Sequence, residues 1–470
     1  MNFYDELERY SDRTALITEQ HGHTSYGQLA QTADALGAAL PPHSLVLCLC
    51  DNNLESVAGY LGLLRRRCVP LLVNSSIHPQ LLDNLLQTYQ PAYVYLPQAQ
   101  AASVAGRSVH QCGDYSLLAT AYADAATAPA LAPPLAQLLT TSGSTGSPML
   151  VRQSHGNIQS NAAAIADYLA ISSDDRPITT LPLSYSYGLS ILNSHLLQGC
   201  AIILTTRSLM DKEFWALLKR EQATTFGGVP YVYEMLKRLR LGRMDLPSLK
   251  TLTQAGGRLG PELSAEFAAL CADKGWRFIV MYGQTEATAR MAYLPWEYAQ
   301  SKAGSIGIAI PGGSFTLEDE HGATITAAET VGELVYRGPN VTLGYASCAA
   351  DLARGDDNHG VLHTGDMAKR DTDGFYTIVG RMKRFLKLFG NRVNLEEVEQ
   401  LLHAAGHEGV CHGVDDHLRF YSTSTDAAEH AAIKAFLVER TGLHGSAFEV
   451  RQIDAIPRNA AGKILYAALP

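Results

Sequence analysis

From Thr14 to Pro97, and again from Asn157 to Thr288, stretches of strand character alternate with stretches of helix character. TSYGQLAQTADALGAAL and NLESVAGYLGLLRRRCV carry a helical period, while SLVLCLCDN, PLLVN and AYVYLP read as short apolar strands. Alternation of this kind folds as helices layered on a mostly parallel sheet, because each crossover needs a helix to return the chain. In LVLCLCDN the period of two puts Cys48 and Cys50 on one face of a buried strand, as core thiols. Gln98 to Pro134, rich in Ala, Pro and small polar residues, reads as an irregular connector. From Gly304 the texture changes to short strands with turns, a mainly β subdomain. After Gly380 comes an α+β tail of about ninety residues, enough for an independent domain. At 470 residues the chain exceeds one ordinary core, so two or more domains are expected.

Composition excludes several function classes. A net charge of −9 argues against a general nucleic-acid or anionic-membrane binder. No apolar run reaches the length of a membrane span. The start, MNFYDELERYSDRTALI, lacks the basic-then-apolar order of a secretory signal, and the eight cysteines are scattered. A cytoplasmic, reduced protein is expected.

The second constraint is the stretch Leu139 to Asn157, LTTSGSTGSPMLVRQSHGN. An apolar strand runs into small residues containing Gly143 and Gly146, with hydroxyls from Thr141, Ser142, Ser144 and Thr145. Successive backbone N–H groups in such a loop form a nest suited to a polyphosphate. No GK[ST] follows, so it is not a Walker loop. Taken alone it is also compatible with an ordinary turn.

With TSGSTGSP, the stretches MYGQTEAT, GELVYRG, LHTGD, IVGR and PRNAAGKILY occur in order along the chain. Together they resemble the motifs of the adenylate-forming superfamily, which includes acyl- and aryl-CoA synthetases, stand-alone adenylation enzymes and luciferases. The resemblance covers nearly the whole chain. It implies an α/β fold: a large N-terminal domain of layered α/β subdomains plus a β-rich subdomain (residues 1–380), and a small mobile α+β C-terminal domain (381–470) hinged near Lys383. It implies an ATP-dependent carboxylic acid ligase that forms an acyl or aryl adenylate and then a thioester on phosphopantetheine. ATP and Mg²⁺ are the implied cofactors, a small carboxylic acid the substrate, and coenzyme A or an acyl carrier protein the acceptor.

Attack of a carboxylate on the α-phosphorus of ATP builds charge on phosphoryl oxygens, so donors and cations must be preplaced. By resemblance, Thr141, Ser142, Gly143, Ser144, Thr145 and Gly146 hold the β- and γ-phosphates. Thr285 donates to the α-phosphate, and Glu286 holds Mg²⁺, a hard cation that prefers carboxylate oxygen. Tyr282, Gly256 and Gly257 border the adenine. Asp366 takes the ribose hydroxyls, with Arg381 on ribose or phosphate oxygens. Lys463 is the mobile catalytic lysine that bridges carboxylate and α-phosphate, then leaves as the small domain turns. Gly390 lets the pantetheine arm pass. Without that context, GRMKRFLKLFGNR reads as a solvated basic face.

Two departures stand out. Where the family usually has PKG after the phosphate loop, Pro148 is followed by Met149 and Leu150, with Arg152 as the nearest substitute cation. In LPLSYSYGLS, Tyr185 stands where many acyl-CoA synthetases have a His, and Ser186 where amino-acid-activating relatives have an Asp. An α-amino acid is therefore disfavoured. Tyr185, Tyr187, Gly227, Gly228, Val229, Ala255 and Met291 are expected to line an acid pocket suited to an aryl or an aliphatic acid. Transfer to an amine, giving an amide, and a degenerate nucleotide-binding protein without activity are the alternative readings.

Overall fold

The computed structural model describes the chain apart from residues 1, 125, 127, 141–148, 382, 383, 389, 390, 415, 442 and 459–463. It is mixed α/β, as the alternation requires, and divides into two compact units. One comprises residues 2–140, 149–314 and 337–362, the other residues 315–336 and 363–470.

The first unit carries two large sheets. In the eight-stranded sheet, Leu45–Cys50 lies between Val69–Asn74 and Tyr93–Pro97, parallel to both. Val46, Cys48 and Cys50 face one hydrophobic core while Leu45, Leu47 and Leu49 face another, so this strand is buried on both sides. Helices Tyr26–Ala38 and Leu54–Arg65 cover the first face. They approach so closely that a Cβ at Gly62 would collide with the Ala33 carbonyl. The first of them starts at a capping box, the Ser25 hydroxyl accepting from the Gln28 N–H at 3.1 Å.

The nine-stranded sheet supplies the site. Its parallel centre runs Ile202–Leu204, Pro177–Thr179, Thr225–Gly228, Thr251–Gln254, Arg277–Tyr282, and the last of these turns back antiparallel onto Ala292–Tyr293. Helix Ser186–Leu197 follows the Pro177–Thr179 strand. In the expected irregular connector the chain instead makes a hairpin, Arg107–Cys112 with Tyr115–Ala119, added to the edge of the eight-stranded sheet. Its apolar Tyr115, Leu117 and Leu118 pair into the sheet, which the surrounding Ala and Pro content conceals.

The second unit is built on a five-stranded sheet that includes Gly332–Arg337, Val361–Arg370 and Tyr376–Arg381. A three-stranded sheet follows, with helices Leu395–Ala404 and Ala427–Thr441. The expected β-rich and α+β textures are both present here. In the basic run, Arg384 does not lie on a solvated face. It reaches Glu399 at 2.6 Å and Glu396 at 3.4 Å, with the Tyr466 ring centroid 4.0 Å from its guanidinium carbon. Among the described residues, no helix is long and apolar enough to cross a membrane.

Candidate active site

The Arg277–Tyr282 strand delivers the chain to a short 3-10 turn, Thr285–Ala287, before it doubles back. The reversal is tight. A Cβ at Gly283 would overlap the Ala289 carbonyl, and Ala289 itself sits at φ +116°, a region that non-glycine residues rarely occupy. Such a turn persists only if its surroundings over-determine it, and here four backbone carbonyls are each held. Gln153 Nε2 donates to the Thr285 oxygen at 3.0 Å, and the Thr342 N–H to that of Glu286 at 3.0 Å. Asn340 Nδ2 spans the carbonyls of Ala287 (2.8 Å) and Arg290 (3.0 Å), and Asn161 Nδ2 adds a second bond to Arg290 at 2.9 Å.

The side chains that this turn presents are those expected to meet the nucleotide. Thr285 Oγ1 lies 3.2 Å from Ser186 Oγ at the start of the 186–197 helix. Glu286 Oε1 accepts from the Tyr345 phenol at 2.7 Å, and Oε2 has no partner among the described residues. Burial, and next the Glu286 charge, hold the Tyr345 hydroxyl protonated well above the ordinary tyrosine range. One hard carboxylate oxygen left open fits Mg²⁺, which is bound by one or two carboxylates together with substrate phosphates. Among the described residues, no group of three or more His, Cys, Asp or Glu is arranged to hold a metal.

Tyr345 was not singled out from sequence. It is 59 positions from Glu286 and is aligned by Arg152. That arginine has no solvent exposure, and its five N–H groups meet five acceptors: the carbonyls of Tyr345, Arg354, Gly355 and Leu343, and Asp357 Oδ2 at 2.5 Å. No donor remains for a phosphate, so Arg152 does not replace the lysine absent at Met149, which is exposed.

Four of the residues expected to line an acid pocket fall in one cluster. Tyr185, Tyr187, Val229 and Ala255 pack together with Met281, Ile191 and Tyr168. Tyr187 donates to the Thr253 carbonyl at 3.1 Å, and burial pushes its hydroxyl up to about 12. Its oxygen would be 3.0 Å from a Cβ at Gly227, and a Cβ at Gly256 (φ +82°) would collide with the Tyr185 phenol oxygen. Both glycines therefore let a tyrosine ring lie against bare backbone. A Cβ at Gly228 would press on Val232, and one at Gly257 on Pro230. Gln254 Nε2 ties the strand end to the Gly257 carbonyl at 2.9 Å. Met291 is fully buried, its N–H on the Tyr282 carbonyl at 2.9 Å, and Met281 is the methionine within the cluster. Tyr282 accepts from Gln284 Nε2 at 3.3 Å.

In the second unit, Asp366 and Arg381 face each other across paired strands, with Arg381 Nε 3.0 Å from Asp366 Oδ1. Asp366 is buried and Arg381 half-exposed, so the carboxylate is charge-paired within this unit. Residues 141–146, Lys383, Gly390 and Lys463 lie outside the described residues.

The chain resembles known proteins along most of its length. It is 31% identical over 346 residues to the 2-succinylbenzoate–CoA ligase of Geobacillus kaustophilus (strain HTA426), covering 70% of this chain and 68% of that protein. To the sulfoacetate–CoA ligase of Cupriavidus necator it is 28% identical over 97% of this chain and 94% of that one. To a feruloyl-CoA synthase of Amycolatopsis sp it is 31% identical over 58% and 54%. The fold superposes on O-succinylbenzoate coenzyme A synthetase from Bacillus subtilis, solved with ATP and magnesium ion, with a TM-score of 0.81 at 22% identity over 100% of this chain and 99% of that one. The model of the AMP-binding enzyme family matches residues 3–346, and the chain belongs to that family.

Proposed function

We propose that this AMP-forming acid–thiol ligase passes its acyl group from an adenylate to the thiol of coenzyme A. The observation that carries the reading is Glu286, presented on a turn with four clamped carbonyls and with one carboxylate oxygen open. In the adenylation step, Glu286 would hold Mg²⁺, which when bound neutralises charge on the phosphoryl oxygens. Thr285 would donate to the α-phosphate, and the loop 141–146 would cradle the outer phosphates. Asp366 and Arg381 would hold the ribose, Tyr282, Gly256 and Gly257 would border the adenine, and Lys463 would bridge the two reacting groups. The acid would lie among Tyr185, Tyr187, Gly227, Gly228, Ala255 and Met291. Residues 381–470 would then turn about Lys383 to admit the pantetheine arm past Gly390. Coenzyme A is favoured over a carrier protein because the three relatives above are named as CoA ligases or synthases.

ATP–pyrophosphate exchange over a panel of aryl, aliphatic and amino acids, followed by thioester assay, tests this reading. Exchange with one acid class, lost in Lys463→Ala, and thioester formed with coenzyme A are expected. Thioester formed only on a phosphopantetheinyl carrier protein would overturn the acceptor, and amide formation the thiol. No exchange despite ATP binding would overturn the reaction. The acids in the relatives' names run from an aromatic cinnamate to a two-carbon sulfonate, so the choice of acid has to come from this chain's own pocket.

A further inference from the structure

Arg290 lies eight residues beyond Tyr282, and its side chain turns inward among the pocket's own residues. It is 2% exposed. Nε donates to Ser190 Oγ at 3.1 Å, and Nη1 to the Tyr168 phenol oxygen at 3.1 Å and to the Met281 sulfur at 3.1 Å. The guanidinium carbon stands 5.1 Å from the centroid of the Tyr187 ring. Every one of these partners is neutral, and Nη2 carries no hydrogen bond among the described residues.

The same chain treats its other buried guanidinium, Arg152, and the largely covered Arg384 differently. Arg152 has five acceptors, one of them Asp357, and Arg384 reaches two glutamates. A charge removed from water and left without a counter-ion is strongly unfavourable, and a cation held over an aromatic face recovers only part of that. Arg290 alone of these three has no carboxylate among the described residues, and it borders the cluster of Tyr185, Tyr187, Val229, Ala255 and Met281. The missing anion therefore belongs to whatever enters that cluster.

We infer that Arg290 reads a second anionic group, a carboxylate or sulfonate, at the end of the acid remote from the carboxyl that is adenylated. This rests on the assignment of the cluster as the acid pocket of a ligase. The substrate class is then a short acid bearing two acidic groups. Nη2 supplies the free donor, Tyr187 the face on which the guanidinium rests, and the Ser190 and Tyr168 contacts fix the fork so that little side-chain freedom is lost on binding.

The test compares matched acids that differ in one terminal group: butyrate against succinate, and propionate against sulfoacetate. Each is assayed by ATP–pyrophosphate exchange with the intact chain, Arg290→Lys and Arg290→Met. The native chain is expected to favour the doubly acidic member by at least about tenfold in kcat/KM, because a charge-assisted bond from the guanidinium is available to the anion and not to a methyl group. Arg290→Met is expected to abolish that preference, read as the ratio of kcat/KM between the two members of each pair, and Arg290→Lys to retain part of it. A native preference for the single acids, or an equal loss with both members in Arg290→Met, would overturn the inference. Thermal-shift titration with the same acids in the absence of ATP separates the two readings. Stabilisation by the doubly acidic ligands that vanishes in Arg290→Met supports the contact even if no acid is adenylated, in which case it is the ligase reading that fails. No such stabilisation of the native chain would overturn the contact itself.

Discussion

The Tyr345 phenol donates to Oε1 of Glu286 at 2.7 Å, and the backbone carbonyl of that same tyrosine accepts from Arg152 Nε at 3.1 Å. The carboxylate proposed to hold the metal is thus aimed by a side chain that is itself anchored to the eight-stranded sheet through the Leu150–Ser154 strand. Aim matters more than charge here. A carboxylate that rotates freely spends little time in the geometry a metal–nucleotide complex needs, and a ligand fixed by an outer hydrogen bond avoids that loss.

Tyr345→Phe removes that bond and little else, since Tyr345 is 40% exposed. A hydrogen bond to a charged group contributes about 1.5–3 kcal/mol, so the apparent KM for Mg-ATP is expected to rise about ten- to a hundredfold. The thermal midpoint should hardly move. Titrating Mg²⁺ at fixed ATP checks it, and an unchanged Mg²⁺ dependence would show that Tyr345 does not position Glu286.

Arg152→Met is expected to act on stability instead. It withdraws a donor from four carbonyls and from Asp357, of which the Leu343 carbonyl keeps the Asp357 N–H and the Asp357 carboxylate keeps Arg354. A buried carbonyl left unpaired costs about 1–3 kcal/mol, and a loss of that order or somewhat more is expected, read as a shift in the denaturant midpoint. If Arg152 served the phosphates instead, the loss would appear in exchange rate at unchanged stability.

The layered α/β class, the buried strand Leu45–Cys50 and the MYGQTEAT motif that carries Glu286 could be read from the chain alone. Each depends on local pattern or on a motif. Helix Ser186–Leu197 could not, because every residue from Tyr187 to Leu196 is buried and a helix buried all round shows no polar face to set its period. Arg152 and Arg384 were misjudged for a related reason. A cation's role depends on which acceptors the fold brings to it, and Asp357 and Glu399 are distant in sequence from the arginines they neutralise. Tyr345 and Arg290 stand within or just beyond recognisable motif runs, but their partners come from other elements. Nothing short of the fold joins them.

Gly283→Ala tests the reversal that places the turn. Its Cβ would overlap the Ala289 carbonyl, a backbone atom that cannot step aside without breaking the Asn340 and Gln153 bonds beside it. A loss of roughly 2–4 kcal/mol is expected, together with loss of exchange. Gly260→Ala, where a Cβ meets nothing within 4 Å, is the control and should be close to neutral.

His195 gives the pH dependence. It lies inside the Ser186–Leu197 helix at 2% exposure with Nδ1 2.8 Å from the Ile191 carbonyl. Burial chiefly, with the Arg290 charge adding, lowers it from 6.5 to about 4, and the Ile191 carbonyl offsets only part of this. Above pH 6.5 the imidazole is neutral in both folded and unfolded chains and contributes no pH dependence. Between 6.5 and 4 the unfolded chain takes up a proton that the folded chain refuses, so stability falls as pH falls. The full effect, reached near the folded value, is roughly 3 kcal/mol. Urea midpoints taken from about pH 7 down to about pH 4.5 should therefore decline, and His195→Gln should flatten that decline. Arg290→Met should flatten it slightly as well, because removing the nearby charge lets the imidazole protonate more readily in the folded state. A decline identical in all three chains would mean that other groups, and not His195, carry the acid sensitivity.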